Sequence, residues 1–172
     1  MPTKSYIAPE TATVWTDSGG DKLLDLGNLS GGGGGIAVGA YLDLGSGSRT
    51  NWYEVEMKID GFASSPAVGD KVDIMFAQSN ATTGFDGQLT ADPTASTQGS
   101  ISSVQQLENL TKVLLLRAVS TTAGDVIQGR AIVKFTGRFV APVVINRSVG
   151  AALKGTSDSH TVTLTPIPQE GQ

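Results

Sequence analysis

Tyr53-Glu54-Val55-Glu56-Met57-Lys58-Ile59-Asp60 alternates apolar and charged residues without a break. Side chains of period two put Tyr53, Val55, Met57 and Ile59 on one face and Glu54, Glu56, Lys58 and Asp60 on the other. That is a half-buried β-strand, one face on a core and one in solvent. Working outward, Ile36, Val38, Ala40 and Leu42 form a second such row, and Val72, Ile74 and Phe76 a third, just behind Asp70 and Lys71. Leu110 to Val119, Val126 to Phe135, Arg138 to Asn146 and His160 to Thr165 read as later strands. Thr11 to Trp15 and Leu23 to Leu26 are expected to pair near the N-terminus.

About eight or nine strands with no sustained helical period predict an all-β, two-sheet β-sandwich, and a jelly roll is the commonest way to close that number. The composition agrees: 22 glycines and only 16% charged residues among 172 suit short strands joined by many turns. With 39% apolar content, residues 1–172 are expected to form a single domain, with an N-terminal arm over about residues 1–10 and a C-terminal tail over about 167–172. One or two helical turns are expected over Ser102 to Asn109, where Ser103 and Gln106 are spaced as a capping box.

Three stretches read as non-strand: the glycines at 31–35, the Gly/Ser-rich turn Gly45 to Thr50, and the long polar segment Ala77 to Ser100. A loop of that last length is either an interaction element or disordered, and both readings stay open.

The net charge of −4 is spread without blocks of one sign, which disfavours a nucleic-acid footprint. Absence of cysteine removes disulfides and thiolate chemistry together. The opening Met-Pro-Thr-Lys-Ser-Tyr lacks the apolar centre of a secretory signal and is expected to be a true N-terminus. Phe139 to Ile145, interrupted by Pro142, is far shorter than the roughly 20 residues that cross a bilayer. A soluble chain made in the cytoplasm, with no membrane partner, is the expectation.

Chemistry-bearing residues are few. The glycine run is followed by Ile36-Ala37-Val38, a strand pattern, where a phosphate loop needs Lys and Ser/Thr opening a helix. Glu54 and Glu56 project from one face about 7 Å apart, a spacing that a glycosidase pair can use. Lys58 and Asp60 continue their row, as on a solvated face. His160, the only histidine, has no nucleophile elbow to serve. Asp86 and Asp92 lie in the long loop without the dense Asp-x-Asp-x-Asp-Gly pattern of a calcium loop. No cofactor, metal or catalytic residue is therefore assigned. The Asn-x-Ser/Thr triplets at Asn28, Asn80, Asn109 and Asn146 read as chance in a Ser/Thr-rich chain. Trp15, Trp52, Tyr41 and Tyr53 are the candidate rings for a sugar-stacking platform, which keeps a carbohydrate-binding module as the alternative function.

Asn51-Trp-Tyr-Glu-Val-Glu-Met-Lys-Ile-Asp60, Pro66-Ala-Val-Gly-Asp70 and Val72-Asp-Ile-Met-Phe-Ala-Gln-Ser79, followed by a Thr/Gly/Asp-rich loop, resemble a group of small tailed-bacteriophage virion structural proteins. Arg138-Phe-Val-Ala-Pro-Val-Val-Ile-Asn146, Asp158-Ser-His-Thr-Val-Thr-Leu-Thr-Pro166 and the tail Pro168-Gln-Glu-Gly-Gln172 look like the closing strands of the same group. The resemblance covers roughly residues 51–172 as a pattern of strands and loops. It implies a jelly-roll-like fold, a place on the capsid surface as a decoration or cement protein, and the major capsid protein as partner. It further implies self-association as a homotrimer or homodimer and no catalytic residues to transfer; a tail or fibre location is the neighbouring reading. The candidate contact elements are the arm Pro2 to Glu10, with Tyr6 and Ile7, and the segment Ala77 to Ser100, with Phe85, Asp86 and Leu89. Both carry little strand pattern, and segments of that kind can order on docking.

Overall fold

A computed structural model describes residues 11–32, 35–46, 50–100, 107–155 and 160–168. These contain eleven strands: β1 (Thr13–Thr16), β2 (Lys22–Leu23), β3 (Gly35–Val38), β4 (Leu42–Asp43), β5 (Trp52–Ile59), β6 (Lys71–Ser79), β7 (Thr97–Ser100), β8 (Thr111–Arg117), β9 (Ile127–Lys134), β10 (Phe139–Asn146) and β11 (Thr161–Pro166). One sheet has the order β2-β1-β11-β5-β9 and the other β7-β3-β10-β6-β8, with β4 also on β10. The predicted all-β, two-sheet sandwich is therefore observed.

The quoted strand behaves as its alternation requires. Tyr53, Val55, Met57 and Ile59 are buried between the sheets, while Glu54, Glu56 and Lys58 look outward. Val72, Ile74 and Phe76 of β6, Val140 and Val144 of β10, and Val162 and Leu164 of β11 meet them in the same core. Aromatic rings run through it: Trp15 to Phe76 at 6.2 Å, Phe76 to Phe135 at 5.0 Å and Phe135 to Tyr53 at 5.5 Å between centroids, spacings at which rings attract beyond their area burial. Trp15 is wholly buried, and its indole N–H donates to the Ala40 carbonyl at 2.7 Å.

Four sequence expectations are corrected. The row Ile36 to Leu42 is split into β3 and β4, and Pro142 supplies the reason. Gly39 N–H donates to the Pro142 carbonyl, so this residue of β10 faces the β3/β4 side of the sheet, where a proline has no N–H to offer. The break between Val38 and Leu42 falls opposite that missing donor. A Cβ on Gly39 would lie 2.8 Å from the Pro142 ring, so this close approach requires glycine. Gly35, read as part of a loop, opens β3 and pairs with Asn146. Ala77 to Ser100 is not one loop: β6 continues to Ser79, and β7 adds to β3 through its backbone. The strands are more numerous than expected because the split row supplies β4 and because β7, short and polar, is defined by its pairing alone. Of the predicted helical turns, only Leu107 and Glu108 are described, and they are helical; Ser103 and Gln106 lie outside the described residues.

The second sheet is buried on both faces, because all eight residues of β10 are buried, as are Val72 to Ala77 of β6. Its outer face carries a second core of Ile36, Val38, Met75, Ala77, Phe139 and Val143, covered by Phe85, Leu107 and Leu110 with Tyr41, Leu89 and Ala91 packed against them. The long segment after β6 is thus a lid on the sheet.

Candidate functional site

β5–β6, β8–β9 and β10–β11 each cross from one sheet to the other at the same end of the sandwich. Asp70 ties these crossovers together. Its carboxylate accepts from the Ala67 N–H at 2.9 Å and the Val149 N–H at 3.2 Å, and its carbonyl accepts from the Ala118 N–H at 2.8 Å. Gly69 N–H returns a bond to the Ala118 carbonyl. Each tied segment presents a valine to solvent: Val68 is 68% exposed, Val119 77% and Val149 81%. Beneath them Asn146, fully buried, donates to the Leu29 and Ala151 carbonyls and accepts from Ser148 N–H. Lys154–Asp60 and Arg147–Asp73 ion pairs flank this end. Three exposed valines thus stand on three crossovers at one end of the sandwich, on loops held by part-buried and buried hydrogen bonds, with two ion pairs beside them.

Sequence reading passed over these valines, although a signal exists. Each stands among turn residues, in Pro66-Ala-Val-Gly-Asp70, Ala118-Val-Ser-Thr-Thr122 and Ser148-Val-Gly-Ala151, where a β-branched residue has no turn-forming role.

Of the predicted contact residues, Phe85, Asp86 and Leu89 are described. Tyr6 and Ile7 lie outside the described residues. Phe85 is 3% exposed, its ring 5.6 Å from that of Tyr41, so it fills the second core. Leu89 is half-buried in the same cluster. Asp86 opens a 3-10 turn, Asp86–Gln88, and accepts from the Gln78 N–H at 3.3 Å. In this arrangement Phe85 and Leu89 hold the lid on the sheet and present little to a partner.

Glu54 and Glu56 both reach Arg130, at 3.9 and 2.6 Å, on the open face of the first sheet. His160 is buried, its Nδ1 accepting from Asp60 N–H and its Nε2 2.8 Å from the Lys154 carbonyl. Asp92 is a turn acceptor for Thr94 and Ala95, and the Thr94 N–H foremost among these bonds holds its carboxyl below the ordinary range. Among the described residues no three His, Cys, Asp or Glu side chains are grouped to hold one metal ion. Of the four candidate stacking rings, Trp15 and Tyr53 are in the core and Tyr41 packs between Phe85 and Phe139; Trp52 is exposed, with the Lys134 ammonium 5.8 Å from its ring centre.

Cavities among the described residues open on the surface. One of about 360 Å³ lies at the opposite end, between Thr13, Leu42, Leu44, Tyr53 and Leu164. Another, about 310 Å³, lies beside β8 and is lined by Asp73, Lys112, Leu115 and Arg147. There Asp73 gives one carboxylate oxygen to Arg147, and the other is buried without a hydrogen-bond partner among the described residues. No protein-family model matches this chain, and no curated protein is detectably similar to it.

Proposed function

We propose that this chain is a non-enzymatic structural protein of a tailed-phage virion, binding the outside of the capsid shell as a decoration or cement protein. The observation that carries the reading is the valine end: three exposed apolar side chains on separate crossovers, held in fixed relation by Asp70. The shell as the surface they meet comes from the resemblance read in the strand-and-loop pattern of residues 51–172. A small patch suits that task, because one weak contact repeated over a lattice gains from the geometry of its neighbours. On this reading Val68, Val119 and Val149 bury against the major capsid protein, the charged flank sets orientation, and the closed sandwich acts as a rigid plug. A jelly-roll closure and self-association belong to the same proposal.

The test is cosedimentation of the purified protein with capsids that lack it. Saturable binding at a fixed copy number per shell supports the reading. Protein left in the supernatant contradicts it, and binding to tail fractions or to a glycan array would move the role there.

A further inference from the structure

Each sheet has two edges, and they are not equivalent. β2 is two residues long. β7 is four residues long, and Gln98 on it donates to the Asp25 and Gly27 carbonyls. β8 carries a register shift opposite Ile74/Met75, a bulge of the kind that blunts edges. β9 has eight residues in unbroken register with β5 from Trp52↔Lys134 to Ile59↔Ile127, without proline or bulge.

The direction of its backbone groups follows from one bond. Phe135 N–H donates to the Asn51 carbonyl, while Ile167 N–H on the other side donates to the Trp52 carbonyl. Odd residues of β9 therefore bond to β5, and the N–H and C=O groups of Gln128, Arg130, Ile132 and Lys134 point away from the sheet. Beside them Ile132 is 64% exposed and Val126 46%.

We infer that β9 pairs antiparallel with β9 of a second copy, across a two-fold axis at Ala131, joining the five-stranded sheets of two chains. Charge selects the register. Pairing Arg130 with its own copy sets like charges opposite, and so does the register that places Arg130 against Lys134; both are unfavourable. The intermediate register puts Arg130 opposite Ile132′, Gln128 opposite Lys134′ and the small Ala131 opposite Ala131′, and makes roughly eight backbone hydrogen bonds from its four bonded pairs. This pairing gives the proposed self-association a specific interface and does not depend on the virion location.

The chain has no cysteine, so an introduced one reports without background. Ala131 occupies a non-hydrogen-bonded position in this pairing, where Cα atoms lie about 4.5 Å apart, within disulfide reach. Ala131→Cys is expected to yield a disulfide dimer on mild oxidation, and Gln128→Cys, about six residues out of register with itself, none. Sedimentation of the unmodified chain should show a monomer–dimer equilibrium. Ile132→Lys should weaken it roughly tenfold, by setting a cation against Arg130′ twice per dimer. Within its own chain that lysine faces Glu54, so folding is preserved. A chain monomeric at all concentrations overturns the inference. So does a dimer that ignores Ile132→Lys, or one in which Gln128→Cys crosslinks as well as Ala131→Cys.

Discussion

The Asp60 backbone N–H donates to Nδ1 of His160 at 3.1 Å, fastening the end of β5 to the start of β11 through a neutral imidazole. With Nδ1 accepting, the ring proton sits on Nε2 and is donated to the Lys154 carbonyl at 2.8 Å. Burial pushes the imidazole below its usual value of 6.5, against the opposing pull of the Lys154 carbonyl and the Asp60 carboxylate.

A folded-state pKa below the unfolded one means that the unfolded chain binds the proton first. The contribution of neutral His160 is complete above pH 6.5 and is lost as pH falls from there through the folded value. Urea unfolding between about pH 7.5 and about pH 5 should show a midpoint that declines on the acid side. In His160→Asn that decline should be flatter; an unchanged slope contradicts the assignment.

Asn146 joins β10 to two loops with its side chain alone. Asn146→Ala takes one donor from each of the Leu29 and Ala151 carbonyls, which keep the Leu153 N–H and the Ser148 hydroxyl, and leaves the buried Ser148 N–H without its Asn146 acceptor. The expected loss is about 1–3 kcal/mol in denaturant unfolding. A loss below about 1 kcal/mol would mean that these groups find other partners.

Phe85 anchors the lid. Phe85→Ala should cost about 3–5 kcal/mol as a core substitution, where an exposed contact residue would cost almost nothing. Hydrogen exchange should accelerate in β7 and in residues 80–96 before it does in β5. Stability within about 0.5 kcal/mol of the parent would return Phe85 to the surface.

Asp70→Ala removes the acceptor for Ala67 and Val149, with an expected loss of about 1–3 kcal/mol. Capsid affinity should fall with it even under conditions where the variant is fully folded, because Val149 loses its side-chain tie to the Val68 turn while the backbone bonds to Ala118 remain. Binding unchanged in a folded Asp70→Ala would separate the patch from the shell contact.

The first sheet was legible in the sequence because it has a wet side: Glu54, Glu56 and Lys58 mark the period of β5 as clearly as Val55 and Met57 do. β10, buried on both faces, has no polar phase, and only its apolar run marks it. The second core was illegible for a different reason. Phe85, Leu89 and Leu107 are spaced at no period among Gly, Asn and Thr, and what gathers them is the outer face of a sheet whose double burial local pattern does not express. β7 is a strand by virtue of β3 beside it, since Thr97-Gln-Gly-Ser100 has no apolar residue to declare it. The valine end depends on Asp70 bringing together residues 67, 118 and 149, a long-range tie that short-range reading does not reach.

The most direct test of the account is cosedimentation with decoration-free capsids of the parent chain beside a Val68→Asp/Val119→Asp/Val149→Asp variant, both verified as folded by their unfolding transitions. The parent should bind saturably at fixed stoichiometry, and the variant should lose at least tenfold in affinity, about 1.4 kcal/mol. A parent that stays in the supernatant, or a variant that binds as well as the parent, contradicts it.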